Sequence, residues 1–254
     1  MEVSALSSGS SGNCYYVKEN KTSILIDAGI SCKQIIERLN IIKQKPESIQ
    51  AIFITHEHSD HIKGVDVLSR TFNIPIFLTK KTSKNRFICS NEENLNLIKN
   101  NERIKIGNLD IESLSKSHKA EDPVFYKIEG NKKLSIITDL GIPCQNAIDA
   151  ISDSDFLCIE SNHDVNMLEN GPYPYFLKNW IKSDSGHLSN LQSSLAVLEY
   201  GRNKLKNLML CHLSQTNNTP QTALSNFRLL KERTDLHPHI SISSFSRPTQ
   251  LFKI

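Results

Sequence analysis

The sequence contains no C-x-x-C pair; Cys14, Cys32, Cys89, Cys144, Cys158 and Cys211 are scattered over 254 residues. That spacing excludes a cysteine zinc ribbon and a disulfide-stapled scaffold, and it predicts reduced, mostly buried thiols. Cys211 adjoins His212, but within Leu208-Met209-Leu210-Cys211 it reads as an inward-facing strand residue rather than a ligand. No apolar run approaches the roughly 20 residues of a membrane-spanning helix, so no membrane partner is expected. The segment Met1 to Ser8 has neither a basic nor an apolar signal region, and a cytoplasmic protein is expected. A net charge of +3, from 30 basic and 27 acidic residues, is too small to identify a nucleic-acid partner by itself. There is no internal repeat and no Pro/Gly/Ser-rich linker, so residues 1–254 are expected to form a single domain with two sheets. At this length about three quarters of the unfolded surface can be buried without a staple. Nothing in the composition speaks to the oligomeric state.

Against this ordinary background one stretch stands out. The apolar run Ala51-Ile52-Phe53-Ile54 leads into Thr55-His56-Glu57-His58-Ser59-Asp60-His61. Four of those residues are metal-ligand types at H-x-H-x-D-H spacing, and clustered imidazoles are costly unless ligated or hydrogen-bonded. On a strand-to-loop transition His56 and His58 can turn to one metal, which leaves Asp60 and His61 for a second.

The chain alternates strands with helices. Strands are expected over residues 14–17, 23–27 and 51–55, with a turn at Asp27-Ala28-Gly29. Ser31 and Gln34 form a capping box for a helix over 32–39, and a second helix is expected from about 62 to 72, stopped by Asn73-Ile74-Pro75. Residues 76–79 resume as a strand, and the polar stretch 80–103 is read as a surface excursion with one helix over 92–99. Strands then follow over 104–106, 109–114, 124–129, 134–138, 156–160 and 207–211, with turns at Gly107-Asn108 and Gly130-Asn131. Ser189 with Gln192 caps a helix to Tyr200, and Thr219-Pro220 opens another to about Arg233.

Loops at strand ends collect catalytic groups, and three further ligand types fall there. His118 follows the strand at 109–114, Asp139 closes that at 134–138, and His212 closes that at 207–211.

Together these residues resemble the five ordered motifs of the metallo-β-lactamase superfamily: Asp27, His56-x-His58-x-Asp60-His61, His118, Asp139 and His212. The resemblance implies an α+β fold, an αββα four-layer sandwich of two mixed β-sheets with helices outside and a dinuclear centre at one edge. It implies that His56, His58 and His118 hold one divalent metal ion and Asp60, His61 and His212 the other. Asp139 would bridge them, and Asp27 would orient the loop from behind. His58, where oxygen-reducing diiron members have a glutamate, favours hydrolysis over redox chemistry, and His61 argues against the commonest β-lactamase type.

Four local strings are similar to the WalJ/YycJ-like branch, which is related to ribonuclease Z: Ser8-Gly9-Ser10-Ser11-Gly12-Asn13, Glu160-Ser161-Asn162-His163-Asp164, Gly186-His187-Leu188-Ser189-Asn190 and His212-Leu213-Ser214-Gln215 with Asn217-Asn218. The implied activity is metal-dependent phosphodiester hydrolysis, as a DNA exonuclease working 5′ to 3′, with zinc or manganese activating water between two ions. His187 is expected to protonate the leaving oxygen or to bind the scissile phosphate, and Glu160 to orient His187. Ser8, Ser10 and Asn13 offer phosphate contacts. His163 lies on the substrate path or makes a structural hydrogen bond. Ser189 and Asn190 are expected to contact substrate, and Ser214, Asn217 and Asn218 either contact phosphate or cap the helix at Thr219.

Two departures from the branch are Lys119, where an acidic residue usually follows the histidine, and Asn179-Trp180, where an arginine pair is expected. Lys33, Lys43, Lys45, Lys80, Lys81, Lys84 and Arg86 could track a nucleic-acid backbone or form a solvated face. The alternatives are a thioester or small-phosphodiester hydrolase using the same metals, and a non-enzymatic, metal-stabilised regulatory protein.

Overall fold

The run Thr22-Ser23-Ile24-Leu25-Ile26 is buried along its whole length. Strands buried along their whole length belong inside parallel or mixed sheets covered by helices. The computed structural model describes residues 1–228 and 235–254 and divides them into two compact units. The first comprises Met1–Ser115, Ala120–Asn131 and Ser244–Ile254; the second comprises Lys116–Lys119 and Lys132–Ser243.

In the first unit, strands β1 (Glu2–Ser7), β2 (Cys14–Glu19) and β3 (Thr22–Ile26) form an antiparallel meander. Strands β4 (Ile49–Phe53), β5 (Ile76–Thr79) and β6 (Leu95–Ile98) continue from β3 in parallel. Parallel neighbours need crossovers, which helices supply. Helix α1 (Cys32–Ile41) links β3 to β4, with the expected Ser31/Gln34 capping box at its start. Its apolar face, Ile35 and Leu39, packs with Leu25, Ile52, Leu68 and Leu78 into one buried cluster.

The helix expected over 62–72 is two pieces, α2 (Ser59–Ile62) and α3 (Val65–Phe72). They part at Gly64, whose N–H donates to the Ala28 carbonyl at 2.7 Å and whose position has no room for a Cβ, which would lie 2.2 Å from the Ile30 carbonyl oxygen. The expected helix at 92–99 is overturned. Glu92–Asn94 make one 3-10 turn and β6 follows as a strand, while the helical segment lies earlier as α4 (Lys80–Asn85), capped by Thr79. Strands β7 (Arg103–Ile106), β8 (Leu109–Ser115) and β9 (Val124–Glu129) form a second antiparallel meander. Its first turn is the expected Gly107-Asn108, with Gly107 at φ 52°.

In the second unit, β10 (Lys133–Ile137), β11 (Phe156–Glu160), β12 (Asn207–Cys211) and β13 (His239–Ile242) are all parallel. Helix α5 (Gln145–Asp153) connects the first two strands. Helices α6 (Val165–Asn170), α7 (Tyr175–Ile181) and α8 (Asn190–Tyr200) lie between β11 and β12. The Ser189/Gln192 capping box is present. After β12 comes α9 (Pro220–Asn226), which closes at its C-cap Phe227, and residues 229–233 of the expected helix to Arg233 lie outside the described residues. The two-residue strand β14 (Phe252–Lys253) returns to β1 in the first unit. Parallel strands carry their ligands beyond their carboxyl ends, and that is where Asp139, Glu160 and His212 sit. No helix among the described residues is long and apolar enough to cross a membrane.

Candidate metal centre

The backbone announces the site before any side chain does. Asp27, Asp139 and His212 follow or end strands β3, β10 and β12, and all three adopt left-handed φ values of 60°, 55° and 55°. Such a conformation is uncommon for residues other than glycine and persists where the surroundings fix it.

In the first unit, Asp27 is fully buried and accepts from the Thr55 backbone N–H at 2.8 Å and from the Thr55 hydroxyl at 2.9 Å. Its Oδ2 also lies 2.7 Å from His61 Nδ1. That pairing assigns the Nδ1 proton of His61 to the carboxylate and turns Nε2 into a lone-pair donor. The same reasoning reaches His56. Because the Thr55 hydroxyl gives its one proton to Asp27, it accepts from His56 Nδ1 at 2.9 Å, which again leaves Nε2 to bind. Across from it, His58 Nδ1 stands 3.0 Å from His56 Nε2. Two ring nitrogens this close require a shared proton or a shared cation, so the loop's donor set fits a divalent metal.

Glycine makes that loop possible. A Cβ at Gly29 would stand 1.6 Å from the Asp60 carbonyl oxygen, so the turn after β3 and the histidine loop touch backbone to backbone. Asn13 holds the other side. Its N–H donates to the Asp60 carbonyl at 2.7 Å, and its amide reaches Asp60 Oδ2 at 3.3 Å and His61 Nε2 at 3.1 Å.

In the second unit the organiser is Glu160, which is fully buried. Its Oε1 stands 2.8 Å from Nδ1 of both His187 and His212, and its Oε2 accepts the N–H groups of Leu140 and Leu188 at 2.9 and 3.0 Å. Burial works to raise the Glu160 pKa, but the two imidazoles outweigh it and hold the group at about 2. With both Nδ1 atoms on Glu160, the Nε2 atoms face outward, and His212 Nε2 lies 3.5 Å from Asp139 Oδ1. Asp139, Glu160, His187 and His212 can bring one ligand atom each to within 4.8 Å of one another, so this set also fits a cation. The His187 side chain is 11% exposed against 2% for His212, so it is the better placed of the two to meet a substrate.

His118 belongs to the same unit. Its Nδ1 stands 3.2 Å from the Gly186 carbonyl, and burial, reinforced by Lys116 and His187, pushes its pKa down to about 3 despite Asp139 and Glu160. Gly141 and Gly186 mark further backbone contacts. A Cβ on the first would lie 1.9 Å from the Asp184 carbonyl oxygen, and on the second 2.2 Å from that of Ile181. Lys116 donates to the Thr138 carbonyl at 2.7 Å, whereas Lys119 is exposed.

Several expected substrate contacts have other uses. Asn13 is fully buried and engaged as described. The Ser8 hydroxyl pairs with the Tyr15 hydroxyl at 2.7 Å, while Ser10 is exposed. Ser189 caps α8. Asn190 and Asn218 exchange two amide hydrogen bonds of 2.9 Å, both buried. The Ser214 hydroxyl accepts from the Asn217 N–H at 3.1 Å. Ser8, Asn13, Ser189, Asn190, Ser214 and Asn218 thus each make hydrogen bonds within the protein. His163 is 1% exposed, its carbonyl accepts from Asn190, and burial lowers its pKa to about 4. Gly29, Thr55, Asn162, Gly141 and Gly186 escaped the sequence reading as positioning residues. The glycines stand within two residues of Asp27, Asp139 and His187 in the sequence, which is the signal that could have found them. Asn162 donates to the His212 carbonyl at 3.0 Å.

Fold and donors define a metallohydrolase of the metallo-β-lactamase class. The family description "Metallo-beta-lactamase superfamily" matches residues 8–88. Two solved structures share the fold over nearly the whole chain: YhfI from Bacillus subtilis, at TM-score 0.70, 14% identity and coverage of 98% and 99% of the two chains, and zinc-bound PqqB from Methylobacterium extorquens, at 0.70, 17%, and 98% and 100%. They confirm two mixed β-sheets with helices. Exodeoxyribonuclease WalJ of Streptococcus pneumoniae is 38% identical over 228 residues, 87% of this chain and 85% of its own length. Exodeoxyribonuclease YycJ of Bacillus anthracis is 35% identical over 238 residues, 92% and 90%. The chain therefore belongs to the WalJ/YycJ-like branch of the metallo-β-lactamase superfamily.

Proposed function

We propose that this protein is a metal-dependent DNA exonuclease, cutting 5′ to 3′, and that the two donor sets serve one pair of divalent ions, zinc or manganese. His56, His58 and His118 would hold one ion and Asp60, His61 and His212 the other, with Asp139 shared. The ions would supply Lewis acidity, which makes water nucleophilic near neutral pH and offsets the charge developing on phosphate. What the chain itself contributes is proton placement. Asp27 and Thr55 fix the tautomers of His61 and His56, and Glu160 fixes those of His187 and His212.

The observation that carries the reading is the shared grip of Glu160 Oε1. One carboxylate oxygen positions a candidate ligand and a partly accessible imidazole, so His187 Nε2 can deliver a proton to a departing 3′-oxygen beside the ions. The identity with two exodeoxyribonucleases over most of their length supports the choice of substrate. The single-domain expectation becomes part of the same proposal, since each unit holds only part of the donor set.

The test is turnover of end-labelled single- and double-stranded DNA and RNA with zinc or manganese, alongside metal content by mass spectrometry. His187→Ala should lower DNA turnover about 100-fold while both metals stay bound, and Asp60→Ala should lose metal. Absence of nucleic-acid turnover under every metal would overturn the reading.

A further inference from the structure

Helix α4 and the residues after it read Lys80-Lys81-Thr82-Ser83-Lys84-Asn85-Arg86-Phe87. Lys80, Lys81, Lys84 and Arg86 are all exposed, and Phe87 is 70% exposed. Four cations beside an exposed aromatic ring, within eight residues, concentrate positive charge on a protein whose net charge is only +3. The other cations of the sequence reading differ. Lys33 pairs with Glu37 four residues on, and the aromatic beside Lys43 and Lys45, Tyr16, is fully buried with its hydroxyl donating to Gln44 at 2.9 Å.

This basic segment is tied to the histidine loop of its own unit. Glu57, which stands between His56 and His58, is 4% exposed, and its Oε1 accepts from the Asn85 amide at 3.3 Å and from the Glu121 N–H at 3.0 Å. The residue between two metal-ligand histidines thus anchors the end of α4.

We propose that residues 80–87 form a docking element for a single-stranded nucleic acid, with Lys80, Lys81, Lys84 and Arg86 meeting successive phosphates and Phe87 stacking on a base. The proposal deepens the nuclease reading and rests on it for the identity of the polyanion. Charge with an interleaved aromatic is the combination that tracks a strand without reading its sequence. The Asn85–Glu57 bond would keep that strand in register with the ligand loop.

Fluorescence anisotropy with a labelled single-stranded DNA, in EDTA so that nothing is cut, reads docking apart from catalysis. In the full-length protein, Lys80→Gln/Lys81→Gln/Lys84→Gln/Arg86→Gln should reduce the slope of log affinity against log salt by about 3, four contacts at roughly 0.7 each for a single strand. Phe87→Ala should weaken binding about tenfold at fixed salt, and Phe87→Trp should restore it. An unchanged melting temperature shows that each variant is folded. A wild-type slope in the quadruple variant, or binding to phosphatidylserine vesicles in place of DNA, would overturn the proposal. Absence of nucleic-acid turnover by the wild-type protein under every metal, with DNA binding and slope as expected, would count against the nuclease reading and leave the docking element standing.

Discussion

The histidine loop of the first unit and the Glu160 cluster of the second solve one problem in opposite ways. Each must point imidazole Nε2 atoms outward from a buried position. The first packs four donor residues into six consecutive positions and holds them by main-chain contact, with Gly29 set against the Asp60 carbonyl and Asn13 bonded to the same group. The second draws His118, Asp139, His187 and His212 from four separate segments and gathers two of them on a single buried carboxylate. A contiguous set needs a backbone that can approach closely. A dispersed set needs a side chain with enough acceptor capacity to meet several elements at once.

That contrast can be broken most severely at Glu160. Glu160→Ala removes the acceptor of two imidazoles and of two buried amides, so it should destabilise the protein by about 3 kcal/mol and lower turnover more than about 100-fold. Thermal melts and metal content check the two effects. Glu160→Gln, which keeps the acceptor oxygen, should lose less. If alanine leaves metal content and turnover intact, the cluster is not organised by this residue.

A smaller effect is expected at the first unit's glycine. Gly29→Ala puts a methyl where the Asp60 carbonyl stands, so the loop must shift, at a cost of about 2 kcal/mol. Metal content should fall with it, whereas a wild-type metal content would show that the loop does not depend on close main-chain approach.

The mildest test sharpens the comparison by pH. In the metal-free protein, His118 and His163 have pKa values lowered to about 3 and about 4 from 6.5, so below pH 6.5 the unfolded chain binds more protons than the folded one. Stability should therefore fall as pH drops from 7 to 4, by up to about 1.4 kcal/mol per pH unit for each imidazole. Glu160 has the other pattern. Its contribution is full above about 4.5 and fades only as pH falls toward 2. Melting temperatures flat from pH 7 to 4 would contradict the burial of these imidazoles.

The same difference decided what could be read from the sequence. The histidine loop was legible because its candidate ligands are adjacent, and β9, β11, β12 and α8 were legible because apolar patterning and the Ser189/Gln192 box mark their ends. Residues 92–99 were misread because Leu95 and Leu97 sit among polar residues that also suit a helix. Pairing with β5 decides for a strand. The double grip of Glu160 left no local signal, since its partners are 27 and 52 residues away. The mutual amide hydrogen bonds of Asn190 and Asn218, 28 residues apart, are likewise invisible in one dimension.

The left-handed backbone at Asp27, Asp139 and His212 has a consequence for anyone seeking to change the chemistry of this centre. Asp, Asn and His tolerate that conformation better than bulky or β-branched side chains do. A library that replaces these positions with other donors would therefore be filtered by main-chain geometry before metal preference is expressed. The short aspartate and histidine alphabet of the site is as much an inheritance of how its strands end as of what it holds.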